Sequence, residues 1–153
     1  YRSRSVPPHL VTAEFARAVA ARLTPSAVYL SNVIDRADPP LLALGIAATL
    51  ATAFPAVDLW IAATPAGGTT NIVVAAWPSA ERALRPPQIT VDATVMDAGD
   101  AVRTQQVTWR RFDLAAARAR WPRACAAILT DDWAPVDRLL AGRAVCDATA
   151  ARQ

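Results

Sequence analysis

Residues 39–57 read PPLLALGIAATLATAFPAV, nineteen consecutive positions without a charge. No other stretch restricts the fold as much. Its continuous apolar part is about fourteen residues, short of the ~20 that a membrane-spanning helix needs, and prolines stand at both ends. The stretch is therefore expected to be a core helix and not a membrane span. Asp38 is placed to cap it, and Pro39 and Pro40 fit its opening turn, where a missing N–H costs nothing. The helix should run to about Phe54. A helix that is apolar on most of its circumference must be covered on all sides, so the flanking segments have to supply that cover.

Those segments have strand character. AVYLSNVID before the helix is an apolar run of strand length, rich in β-branched and aromatic residues. VDLWIAA and TNIVVAAW follow it, joined by TPAGGT, a turn that suits an antiparallel hairpin. An earlier helix is expected from Thr12, an N-cap residue with Glu14 in its first turn, through Phe15, Val19 and Leu23 on one face to the Thr24-Pro25 stop. Helices alternating with strands buried on both faces predict an α/β fold with a mostly parallel sheet whose final strand is antiparallel. At 153 residues one domain is the natural expectation, and 54% apolar against 19% charged residues marks a globular chain.

Past the proline-punctuated WPSAERALRPP, ITVDATVM alternates like a half-exposed strand. DAGD (residues 97–100) makes a turn toward a partner strand, AVRTQQVTW. Asp113 is a candidate cap for a helix through LAAARARW. Pro135 should open a short last helix, PVDRLLA, that Gly142 ends.

Absences exclude several chemistries. All 16 basic residues are arginine, so there is no phosphate-loop lysine, Schiff base or lysine base. His9 is the single histidine, which excludes two-histidine metal sites; no metal is expected. Cys125 and Cys146, twenty-one positions apart, fit no zinc or CxxC spacing and are expected to be free thiols in a reducing cytoplasm. The first ten residues lack the apolar core of a secretory signal. WRRFDLAAARARWPR intersperses arginines with three aromatics, but a solvated helix face in a lysine-free protein looks the same, so nucleic acid is not an expected partner.

Ligands of open α/β sheets bind beyond the carboxyl ends of parallel strands. Asn32 and Asp35 stand near such an end and suit a polar ligand; the alternative is that they cap the strand end and the turn after it. Asp131 and Asp132 could hold an ammonium group by charge-assisted hydrogen bonds, or serve as cap and turn residues ahead of Pro135. His9, between a Pro-Pro turn and a helix cap, reads as a structural hydrogen-bonding residue.

SVPPHLVTAEF, LTPSAVYLSNVID, FPAVDLW, TNIVVAAWPS and LTDDWAPVD occur in this order over nearly the whole chain. Taken together they resemble the C-terminal half of the spermidine synthase-like polyamine aminopropyltransferases. LTDDWAPVD is the most specific of the five. The resemblance implies a Rossmann-like class I methyltransferase fold, decarboxylated S-adenosylmethionine as co-substrate, a polyamine acceptor and a cytoplasmic protein. It divides the chain into 1–88, the C-terminal half of the Rossmann-like domain, and 89–153, an extension of the same domain carrying LTDDWAPVD.

It also implies that the chain opens just after a strand, with the glycine-rich nucleoside turn and the ribose-binding acid further upstream. None of the five glycines here forms GxGxG after a strand. The expected partners are thus a complementing N-terminal segment or a second copy. Pro7 and Leu10 match loop positions that pack on the adenine ring. Asn32, Asp35, Asp131 and Asp132 are the candidates for the amine. The aspartate that the family uses as base falls at Arg2, or at Arg4 in a longer loop, and an arginine cannot take that role. Two rival expectations follow: a non-catalytic homologue that binds a nucleoside or a protein, and an S-adenosylmethionine-dependent methyltransferase.

Overall fold

The computed structural model describes residues 7–63, 68–83, 86–96 and 102–144. After a 3-10 turn at Pro8–Leu10 comes α1, Ala13–Ala20, and then β1, Tyr29–Arg36. The central helix α2 is Leu41–Leu50, followed by β2, Ala56–Ala62, and β3, Thr69–Trp77. A second 3-10 turn at Ala80–Arg82 leads to β4, Gln88–Met96, and β5, Val102–Asp113; α3, Leu114–Arg120, and α4, Val136–Leu140, close the described chain.

All ten residues of α2 are buried, as a helix apolar on every side requires. It packs on β1, β2 and β3, while α1, α3 and α4 pack against it in turn. The principal core lies between this helical layer and one face of the sheet, formed by Leu42, Leu44, Leu59, Ile72, Val74, Leu129 and their neighbours.

The sheet has five strands in the order β1-β3-β2-β5-β4. Every pairing between neighbours is antiparallel, which corrects the expectation of a mostly parallel sheet. The reason is the position of β3. It folds back as a hairpin partner of β2 and also pairs with β1, so it lies between them. β1 and β2, joined through α2, run in the same direction yet never touch as neighbours. The β4–β5 hairpin then adds to the far side of β2 through Trp109–Asp113. One sheet thereby spans the two stretches, 1–88 and 89–153, that the resemblance separates.

Local signals account for most boundaries. Thr12 caps α1, its Oγ1 accepting from the Phe15 N–H at 3.3 Å. α1 ends three residues before Leu23 because the chain tightens there, Arg22 N–H bonding to the Val19 carbonyl and Leu23 N–H to that of Ala20. Asp113 Oδ1 caps α3 through the Ala116 N–H at 2.7 Å. Gly142, at φ 74°, ends α4 in the left-handed conformation that glycine adopts without a Cβ penalty.

Three expectations need correction. Asp38 does not cap α2; the N-cap residue is Pro40, which has no side-chain acceptor. β1 is an edge strand whose burial alternates, with Leu30, Asn32 and Ile34 exposed, so it is not covered on both faces. Cys125 is not a free thiol but disulfide-bonded. Cys146, the other cysteine of the sequence, and the DAGD turn lie outside the described residues. Disulfides persist in oxidising compartments, so the cytoplasmic expectation loses the support of free thiols. No helix among the described residues is long and apolar enough to cross a membrane.

Candidate functional site

Leu129 bonds both Ala13 and Thr49, and the Phe15 ring lies 6.3 Å from that of Tyr29, so the start of α1 lies beside the end of α2 and the amino end of β1, while the carboxyl end of β1 meets the start of α2. Asp35 is the next-to-last residue of β1 and is 2% exposed. Its Oδ2 accepts from the N–H groups of Leu42 at 2.8 Å and Ala43 at 3.1 Å, and its Oδ1 from that of Arg36 at 2.7 Å. A carboxylate on the strand thus satisfies the amides at the start of α2 that Pro40 cannot reach. Burial pushes the Asp35 carboxyl above the ordinary aspartate range, against the pull of the Ala43, Arg36 and Leu42 amides.

The LTDDWAPVD segment folds onto the start of α1. The Ala13 N–H donates to the Leu129 carbonyl at 2.8 Å, and the Asp131 N–H to Glu14 Oε2 at 3.1 Å. Reciprocal bonds at 3.0 Å between Thr130 and Trp133 close a tight turn that carries Asp131 and Asp132 at its tip, both exposed. Behind this turn, Thr49 Oγ1 donates to the Gly45 carbonyl at 2.8 Å and accepts from the Leu129 N–H at 2.9 Å, tying the segment to α2. Glu14 is held below the ordinary glutamate value by its own amide, against some desolvation, with help from the Asp131 amide and Arg17. Pro7, His9 and Leu10 are exposed in the turn just ahead, where the His9 carbonyl accepts from Thr12 Oγ1 at 3.4 Å.

The structure therefore gathers Pro7, Leu10, Asp131 and Asp132 around the start of α1, beside the end of α2, whereas Asp35 sits apart from them against the start of α2. It does not bring Asn32 and Asp35 together: they lie three apart on one strand, so they point to opposite faces. Asn32 is exposed on the face away from the helices, and its Nδ2 donates to Asn71 Oδ1 at 3.5 Å. Arg2 and Arg4 lie outside the described residues.

Sequence reasoning missed a second polar cluster, on the side of α2 where α3 ends. Asp38 Oδ1 accepts from the Trp121 indole N–H at 2.6 Å, and Oδ2 from Arg120 at 3.4 Å, while the Arg120 guanidinium sits 5.7 Å over the Trp121 ring. Pro39, Leu41, Trp121, Pro122 and Gly142 line an open groove of about 500 Å³ beside it. The residues of this contact are more than eighty positions apart, and neither carries a local signal pointing to the other. Among the described residues no group of three or more histidine, cysteine, aspartate or glutamate side chains is arranged to hold a metal ion.

A scan of known protein families and searches of curated proteins and of solved structures find no match to this chain.

Proposed function

We propose that this chain is the C-terminal part of an aminopropyltransferase-like domain, which moves an aminopropyl group from decarboxylated S-adenosylmethionine to a polyamine. The observation that carries the reading is the docking of the LTDDWAPVD segment on the start of α1, through the Ala13–Leu129 and Asp131–Glu14 hydrogen bonds. It sets the most specific stretch of the resemblance beside the turn at residues 7–10, next to the end of α2. The reversed strand β3 between the co-directional β1 and β2 supports the Rossmann-like reading. The nucleoside-binding turn would come from residues outside these 153.

Within this reading Pro7 and Leu10 offer apolar contact to the adenine, and Asp131 and Asp132 attract the cationic amine. The neutral amine attacks the methylene next to the sulfonium, methylthioadenosine leaves, and the ammonium formed gives up a proton. The protein contributes chiefly proximity, orientation and a base. Asp35 does not suit the role of base, because its two oxygens are occupied by three amide donors.

That last point favours a second reading, a non-catalytic homologue. Asp35 is the first aspartate of the sequence, and it is buried at the start of α2. The test is amine-dependent release of methylthioadenosine by the full-length protein given decarboxylated S-adenosylmethionine and putrescine. Release supports the transferase. Binding of the nucleoside without release supports the homologue, and tighter binding of S-adenosylmethionine than of its decarboxylated form supports a methyltransferase and sinks the aminopropyl reading.

A further inference from the structure

Cys125 carries a disulfide, and Cys146 is the one other cysteine of the sequence. The described chain brings the approaches to both together. Ala124, next to Cys125, and Ala144, two residues before Cys146, line the same groove of about 500 Å³. α4 delivers Ala144 there through a tight reversal: the Gly142 N–H donates to the Leu139 carbonyl at 2.9 Å and the Arg143 N–H to that of Arg138 at 3.0 Å, around the left-handed Gly142. Two further residues reach about 7 Å, as far as a disulfide needs, since it joins Cα atoms about 4.4–6.8 Å apart.

Cys125 is half-buried in irregular chain. On either side of it the surface is open. Arg123 stands at the groove just described, and Arg118 with Trp121, Ala124 and Ala126 borders a second opening of about 420 Å³. Arginines at both openings attract an anionic thiol, and beside a cysteine they favour the thiolate, which makes it a better leaving group.

We propose that Cys125 and Cys146 are joined within one chain by a reducible latch, which a small anionic thiol opens under native conditions, loosening α4 and the 130–133 turn while the sheet stays folded. The proposal does not depend on the catalytic reading.

The loop between the two cysteines contains the whole of that turn and α4. Both are weakly held. α4 has five residues, too few to stand alone, and Val136 and Leu139 are its buried residues. The turn is tied to its neighbours by the bonds of Leu129 to Ala13 and Thr49 and of Asp131 to Glu14. Most of the core between α2 and the sheet comes from residues outside the loop, so the sheet does not need the bond. In the exchange a thiolate attacks the Cys125 sulfur, the bond to Cys146 breaks, and Cys146 leaves as thiolate. A second thiolate then attacks the small-molecule sulfur of the mixed disulfide and releases Cys125. Two thiols become one disulfide, and their two protons end on the two cysteines.

Tryptic digestion without reductant tests the pairing, because Cys125 falls in residues 124–138 and Cys146 in residues 144–152. These two peptides should appear linked, from protein that runs as a monomer on a non-reducing denaturing gel. Residues 124–138 linked to a second copy of themselves, or both peptides free, overturn the proposal. Hydrogen exchange of the intact folded protein tests the latch. Millimolar glutathione should release both thiols and speed exchange at the Asp131, Ala141 and Gly142 amides at least about 10-fold, with Val74 in β3 unchanged, and glutathione disulfide should reverse the change. The double substitution Cys125→Ser, Cys146→Ser should exchange fast at those three amides with or without glutathione. If that variant does not fold, wild type reduced and then alkylated gives the same comparison. A bond that glutathione opens only in denaturant overturns the latch. So do amides that do not respond to reduction, or an equal acceleration at Val74.

Discussion

Asp35 concentrates two opposed forces in one carboxyl group. Burial raises its affinity for a proton, while amide donors at the start of α2 favour the charge. Replacing it by asparagine keeps one acceptor oxygen and turns the other into a donor facing an N–H. Asp35→Asn should therefore cost about 1–3 kcal/mol of unfolding free energy, the penalty for buried amides left without an acceptor. The pH dependence follows from the raised value. A carboxyl that binds its proton more tightly when folded contributes most below the ordinary aspartate value, and that contribution falls as pH rises toward the raised folded value. The stability advantage of wild type over Asp35→Asn, measured by urea unfolding at several pH values, should thus shrink from about pH 4 upward. An advantage that grows over that range would show that the amides win over burial. The sequence placed Asp35 at a strand end and left ligand and cap both open. The amides that occupy it belong to Leu42 and Ala43, whose approach depends on how the chain turns through Asp38-Pro39-Pro40.

At the scale of elements, the parts with a self-contained local signal were legible and those needing a distant partner were not. The capping pattern at Thr12 and Glu14 located the start of α1, and the uncharged run located α2, because both signals act within one or two turns of chain. Asp38 looked like the cap of α2 by the same local rule. It is drawn instead to Trp121 and Arg120, a contact no spacing in the sequence encodes. Thr12 links the cap of α1 to the candidate site, since it is buried and its helix begins where Leu129 docks. Thr12→Ala should lower stability by about 1 kcal/mol through loss of the cap. It should also loosen the 129–133 turn, so that hydrogen exchange at the Ala13 and Asp131 amides speeds up more than at Val74 in the central strand. Equal acceleration at all three would mean that the cap serves global stability alone.

For the whole molecule, the α/β layering could be read from the sequence because an all-apolar helix and its flanking strands demand it. The pairing order could not. A hairpin signal says that β2 and β3 run antiparallel but is silent on whether β3 then lies outside β2 or between β2 and β1, since both arrangements bury the same apolar pattern. The state of Cys125 was misread for a related reason: cysteine spacing tests for metal and redox motifs, whereas a structural disulfide depends on which distant segments meet. Cys125 lies between the end of α3 and Leu129, in the connection that leads to the site turn, so its bond restrains that approach. Alkylation of the protein unfolded without reductant should leave Cys125 unmodified, and prior reduction should make it fully reactive, both read by peptide mass. Cys125→Ser should lower unfolding free energy by about 2–4 kcal/mol in non-reducing buffer and have no effect once the wild type is reduced. Ready alkylation of Cys125 without reductant would return the chain to the reducing-compartment reading, and with it the cytoplasmic polyamine chemistry that the resemblance implies.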